Sequence, residues 1–122
     1  MGKLRHTVAV IDDDASPRRS VGRLLRAYGF PAIEYESAEV FLGRDPNTAV
    51  DCLVLDIDLG GMSGIELQRR LKETGSGLPI IFITALEDPR LKAEAEHAGC
   101  IAYLRKPFAG SVLIDAVKRA LA

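Results

Sequence analysis

Five short runs rich in Val, Ile, Leu and Phe recur along the chain, at Thr7–Asp12, Ala32–Glu36, Cys52–Ile57, Pro79–Thr84 and Ile101–Leu104. Four are nearly continuous in apolar character, as strands buried on both faces are. The second, Ala32-Ile33-Glu34-Tyr35-Glu36, alternates apolar with polar and suits an edge strand. Helical spacing separates the runs. Ser16 before Pro17 reads as an N-cap followed by proline at the first helical position. Val21, Leu24, Leu25 and Tyr28 then share one face, and Gly29 can end that helix. Ser37 opens a shorter helix with Val40 and Phe41 inward. Ser63 and Glu66 form a capping box for a third helix, which buries Ile65, Leu67 and Leu71 and stops near Gly75. Asp88-Pro89 starts a fourth, whose apolar face of Leu91, Ala95 and Ala98 is thin and which Gly99 closes. The last helix is amphipathic through Val112, Leu113, Ala116, Val117, Ala120 and Leu121.

The order is therefore βαβαβαβαβα. That alternation predicts a parallel sheet with right-handed crossovers and helices on both faces. With 122 residues and 48% of them apolar, residues 1–122 suffice for one domain with a real core and are too few for two. No internal repeat or linker interrupts them, and Gly43–Val50, with Asp45-Pro46-Asn47, reads as an ordinary loop.

Composition narrows the function classes. Sixteen Lys and Arg stand against seventeen Asp and Glu, a net charge of −1. That balance gives no electrostatic reason to expect nucleic-acid or membrane binding. The longest apolar run, Leu78–Ala85, contains Pro79 and Thr84 and falls far short of a membrane span. The start, Met1-Gly2-Lys3-Leu4-Arg5-His6, is basic, and no signal-peptide core follows it. Cys52 and Cys100 sit in apolar runs without metal spacing and read as reduced core residues. A cytoplasmic location is expected.

In a doubly wound sheet, sites form beyond the carboxyl ends of the strands. The first run ends at Asp12, Asp13 and Asp14. The third ends at Asp56, with Asp58 just after. The fourth ends at Thr84-Ala85, and the fifth is followed by Arg105-Lys106-Pro107. Singly, each has an ordinary role as helix cap or solvated loop residue. Asp14 in particular reads as the start of a loop, His6 and His97 as solvent-exposed, and Met62 as a packing residue. Their coincidence at the ends of four strands is what points to chemistry. Clustered carboxylates repel each other unless some are protonated or a cation sits among them. Oxygen donors suit a hard ion such as Mg²⁺, and no neighbouring His or Cys argues for zinc. Lys106 and Thr84 add a positive charge and a hydrogen-bond donor, so the parts could hold a phosphoryl group against Asp56.

At these residues the sequence resembles the receiver domains of two-component response regulators, and Ala38-Glu39-Val40-Phe41-Leu42 and Leu78-Pro79-Ile80-Ile81-Phe82-Ile83-Thr84 look most like those attached to helix-turn-helix transcription regulators. The resemblance runs from about Thr7 to Leu121. It rests on Val10-Ile11-Asp12-Asp13-Asp14, Leu53-Val54-Leu55-Asp56, Gly61-Met62-Ser63-Gly64, Ile83-Thr84-Ala85, Ala98-Gly99 and Lys106-Pro107-Phe108. It implies a flavodoxin-like five-stranded parallel sheet in the order 2-1-3-4-5, with five helices on its two faces. It implies Asp56 as phosphoacceptor and Mg²⁺ as cofactor. The ion would be held directly by Asp13 and Asp56, through water by Asp12, and by the backbone carbonyl of Asp58. Thr84 and Tyr103 would be switch residues, and Lys106 would pair with Asp56 or its phosphate. A cis bond is implied between Lys106 and Pro107. The implied partner is a histidine kinase or histidine phosphotransfer protein, and a homodimer on phosphorylation is left open. The output surface would be the fourth helix, fifth strand and fifth helix, with Arg90, Lys92, Tyr103, Arg105, Lys118 and Arg119 as candidate exposed contacts.

The sequence departs from the family where Met-Pro usually follows the acceptor by three and four residues, because Leu59-Gly60 stand there. Gly60 predicts a more flexible loop. Asp58 and Leu86 flank the phosphoryl position and bear on the lifetime of the phosphorylated state. Two other classes are weaker. Leu53-Val54-Leu55-Asp56-Ile57-Asp58 resembles the first motif of haloacid-dehalogenase-type phosphatases, but Gly60 stands where that motif wants Thr and the acidic pair lies upstream. A phosphorylation-independent scaffold would usually lack one of the acids, the lysine or the hydroxyl. The three aspartates after the first strand also take the place of a glycine-rich nucleotide loop.

Overall fold

The computed structural model describes residues 6–122; the basic residues Met1–Arg5 lie outside the described residues. Among the described residues ten elements alternate: β1 (Val8–Ile11), α1 (Ala15–Ala27), β2 (Ala32–Tyr35), α2 (Ala38–Leu42), β3 (Cys52–Asp56), α3 (Gly64–Glu73), β4 (Ile80–Thr84), α4 (Pro89–His97), β5 (Ala102–Arg105) and α5 (Gly110–Leu121). The sheet is parallel, in the order β2-β1-β3-β4-β5. This is the flavodoxin-like arrangement, and the alternating second run is indeed an edge strand.

Strand alternation divides the core into two layers. Ala9, Ile11, Leu53, Leu55, Ile80 and Phe82 point to one face and pack under α2, α3 and α4. Val8, Val10, Cys52, Val54, Ile81 and Ile83 point to the other and pack under α1 and α5. A strand buried on both sides can be apolar at every position, which is why these runs show no alternation in sequence.

Several local expectations are corrected. The N-cap of α1 is Asp14, whose Oδ1 accepts from the Ser16 N–H at 3.2 Å; Ser16 and Pro17 already lie inside the first turn. Proline is tolerated there because first-turn N–H groups have no partner within the helix. Tyr28, Val40 and Val112 face solvent rather than the core. His6 is half-buried, and so is Cys100, whereas Cys52 is fully buried. β5 begins one residue later than the apolar run, leaving Ile101 exposed at its start. The caps at Ser37, Ser63 and Asp88 and the left-handed glycines at Gly29, Gly75 and Gly99 lie where the sequence predicts.

Candidate functional site

The parallel register sets the site. Ile11 lies beside Leu55, Asp56 beside Ile83, and Thr84 beside Arg105. The residues that leave β1, β3, β4 and β5 therefore meet at one edge of the sheet. Asp12 and Thr84 are fully buried there, Asp56 is buried, and Asp13 is exposed. Carboxylate oxygens of Asp12, Asp13 and Asp56 come within 4.8 Å of one another.

Lys106 ties two of these acids together. Its Nζ donates to Asp12 Oδ2 at 3.2 Å and to Asp56 Oδ2 at 3.1 Å. The remaining oxygens are also engaged. Asp56 Oδ1 accepts from the Asp58 N–H at 3.0 Å, Asp12 Oδ1 from the Asp14 N–H at 3.0 Å, and Asp13 Oδ2 from the Gly60 N–H at 3.2 Å. Carboxylate oxygens have further lone pairs, so these bonds orient the acids without using up their capacity. The bond from Lys106 to Pro107 is cis, as the resemblance implies. Asp58 itself is exposed, and Asp14 serves as the helix cap.

The electrostatics follow from burial. Burial pushes the Asp56 carboxyl above its ordinary value and the Asp12 charge adds to this, against the Asp58 N–H and the Lys106 bond. Burial works against the charged form of Lys106, yet its bonds and charge interactions with Asp56 and Asp12 hold its pKa above the ordinary value. Three carboxylates against one ammonium leave two formal negative charges in a partly buried site. An oxygen-only donor set with that surplus fits Mg²⁺. Asp12, Asp13 and Asp56 are thus able to coordinate the ion.

Thr84 Oγ1 accepts from the Leu86 N–H at 3.0 Å, which leaves its hydroxyl proton free to be donated. Tyr103 packs its ring against Phe82, with centroids 6.2 Å apart, and its hydroxyl is buried without a hydrogen-bond partner among the described residues. That corrects the expectation of Tyr103 as an exposed contact, while Arg90, Lys92, Arg105, Lys118 and Arg119 are exposed.

Three residues around the site were not singled out by sequence reasoning. Arg18 Nη1 donates to the Asp12 carbonyl at 3.0 Å. Glu39 Oε2 accepts from the Met62 N–H at 3.0 Å. Gly64 seats α3 so closely on the end of β3 that a Cβ there would lie 2.6 Å from the Asp56 carbonyl oxygen. Gly64 stands within a recognised motif, but only the approach of the two backbones shows its purpose.

Comparison with known proteins agrees with this geometry. A family profile described as Response regulator receiver domain matches residues 8–118. The transcriptional regulatory protein TdiR of Thauera aromatica is 41% identical over 116 residues, covering 95% of this chain and 51% of TdiR. The crystal structure of FixJ-N superposes with a TM-score of 0.89 at 35% identity, covering 98% of this chain and 95% of that one. The BeF3-activated DrrB receiver domain gives 0.85 at 31% identity, covering 97% and 98%. The chain spans about half the length of the curated relatives it matches. On this fold, this acidic site and these matches, the chain belongs to the response regulator receiver domain family, the phosphoaccepting signalling modules of two-component systems rather than turnover enzymes.

Proposed function

We propose that Asp56 accepts a phosphoryl group from a phosphohistidine on a histidine kinase or histidine phosphotransfer protein. The observation that carries this reading is Lys106, which bridges Asp12 and Asp56 while Asp13 closes the acidic cluster. An Asp56 carboxylate oxygen attacks phosphorus, the P–N bond to the donor imidazole breaks, and an acyl phosphate results that water later hydrolyses. Asp12, Asp13, Asp56 and the carbonyl of Asp58 would hold Mg²⁺. When bound, the ion supplies charge neutralisation for the attacking carboxylate and the phosphoryl oxygens. Lys106 adds a positive charge at the same oxygens, and the Thr84 hydroxyl donates a hydrogen bond to the transferred group.

Drawing Thr84 towards the phosphoryl group frees space beside α4 and allows Tyr103 and α4 to repack. This is a population shift biased by contacts made only in the phosphorylated state. The α4–β5–α5 surface then presents a changed face, on which a second phosphorylated copy can pair. With a net charge of −1, the domain works without direct contact to nucleic acid or membrane. Among the described residues no helix is long and apolar enough to cross a membrane. A cytoplasmic location and a single domain over residues 1–122 complete the reading. Since TdiR is a transcriptional regulatory protein, we assign transcription control as the output of the whole protein.

Intact mass after incubation with Mg²⁺ and acetyl phosphate tests this. One phosphoryl adduct is expected in wild type and none in Asp56→Asn or with chelator. An adduct that persists in Asp56→Asn would remove Asp56 from its role. Asp58→Asn is expected to change the decay rate of the adduct, and an unchanged rate would rule Asp58 out of dephosphorylation.

A further inference from the structure

Two backbone N–H groups of the loop after β3 end on carboxylates from other parts of the chain. Gly60 donates to Asp13 Oδ2 at 3.2 Å, and Met62 donates to Glu39 Oε2 at 3.0 Å. Between them Gly61 adopts φ +77°, and a Cβ there would lie 2.6 Å from Glu39 Oε2. The loop therefore lies directly on the Glu39 carboxylate, which comes from the first turn of α2. The Met62 N–H, as the largest influence, holds the Glu39 carboxyl below its ordinary value, so the acceptor is charged at neutral pH.

The loop needs an outside fastening because of its sequence. The family's usual proline at position 60 would lock φ and offer no N–H. Gly60 does the reverse, since it loosens the backbone and supplies a donor. That donor points at Asp13, the exposed member of the acidic trio. A ligand carboxylate is oriented by what its oxygens hydrogen-bond to, and such outer partners are commonly worth about 10–100-fold in metal affinity.

We infer that Glu39 is a positioning residue for the metal site: by holding the Met62 N–H it fixes the loop so that the Gly60 N–H orients Asp13. The inference rests on the reading of Asp13 as a Mg²⁺ ligand. Stiffness that proline would build into the loop is here supplied by a side chain from another element.

The competing account makes Glu39 only a favourable charge at the start of α2. Mg²⁺ titrations followed by amide NMR separate the two. Glu39→Ala removes the acceptor; Glu39→Gln keeps an oxygen that can accept from Met62. Glu39 is exposed, so neither change disturbs the core. Glu39→Ala is expected to weaken Mg²⁺ binding about tenfold and to speed amide exchange at Gly60 and Met62, with the β1 and β3 amides unchanged. Glu39→Gln should stay close to wild type. Adding Gly60→Ala to Glu39→Ala should recover part of the affinity. It restricts the backbone while keeping the N–H, and among the described residues its Cβ meets only Asp13 Oδ2, at 3.7 Å. Wild-type affinity in Glu39→Ala overturns the inference alone, as does an equal loss in Glu39→Gln, which would mark a field effect. The absence of recovery in the double variant overturns it too. A wild type that binds no Mg²⁺ overturns the functional reading itself.

Discussion

α4 and α5 lie on opposite faces of the sheet, and they are held very differently. α5 buries Leu113, Ile114, Ala116 and Val117 against β-strand residues of the second core layer. α4 buries Ala95 alone, and Leu91 packs only in part. Its other ties are polar, one of them from the buried Gln68. Gln68 Nε2 donates to the Ala95 carbonyl at 3.1 Å, and the exposed Arg69 pairs with Glu94. Exposed pairs of that kind contribute little. Local opening is easiest where few apolar contacts must be lost. The domain thus sets its site between an anchored helix and one that can be displaced at small cost. A signalling module needs both, a rigid frame for the acids and an element whose position phosphorylation can change.

The largest expected effect tests this contrast directly. Leu113→Ala in α5 should cost about 2–5 kcal/mol, whereas Leu91→Ala in α4 should cost roughly 1 kcal/mol. Urea unfolding of the two variants decides it, and equal costs would break the comparison. Gly64→Ala comes next. It forces a methyl group onto the Asp56 carbonyl, an overpacking that costs about 1–3 kcal/mol and should also weaken Mg²⁺ binding, because the end of β3 must shift. Unaltered stability and Mg²⁺ affinity would mean that α3 is not seated as closely as described.

A third test concerns the acid at the centre. The folded state raises the Asp56 pKa, with burial as the main cause, so it binds that proton more tightly than the unfolded chain does. Asp56 therefore costs stability at pH values above its folded pKa, and the cost fades as pH falls through that value towards the unfolded one. Asp56→Asn should be more stable than wild type at neutral pH, with the advantage shrinking on acidification. A pH-independent difference in urea midpoints would contradict this. Lys106 contributes in the opposite sense. Its raised pKa gives stability that is complete below the unfolded lysine value and is lost as pH rises through the folded one.

The smallest effect belongs to the α4 side. Tyr103→Phe removes a buried hydroxyl that has no partner among the described residues, so it should stabilise the unphosphorylated domain by up to about 1 kcal/mol. A loss of stability, seen as a lower unfolding midpoint, would show that the hydroxyl is bonded in solution.

Much of this could be read from the chain because the relevant signals are local. Continuous apolar runs marked the buried strands, and cap residues marked most helix starts. The acids and Lys106 were identifiable because parallel strands bring their carboxyl ends together. The errors came where two local signals competed or where a distant contact decided. Asp14 and Ser16 are both good caps, and only the Asp14 bond to the Ser16 N–H distinguishes them. Val40 and Val112 satisfy a helical pattern, yet both are exposed. Glu39 meets Met62 across 23 residues of chain, and Gly64 matters only because two backbones approach. No periodicity reports such contacts.

The strand register has a consequence for how the domain tolerates change. Exchanging one core aliphatic for another of similar volume costs less than about 1.5 kcal/mol. Removing one residue from the middle of β4 is another matter, since side chains alternate between faces and a one-residue slip reverses them. If Phe82 is the residue removed, Ile83 would take its place towards α2–α4 and Thr84 would lie beside Leu104 rather than Arg105. The domain can therefore vary what its strands are made of far more freely than how many residues each contains.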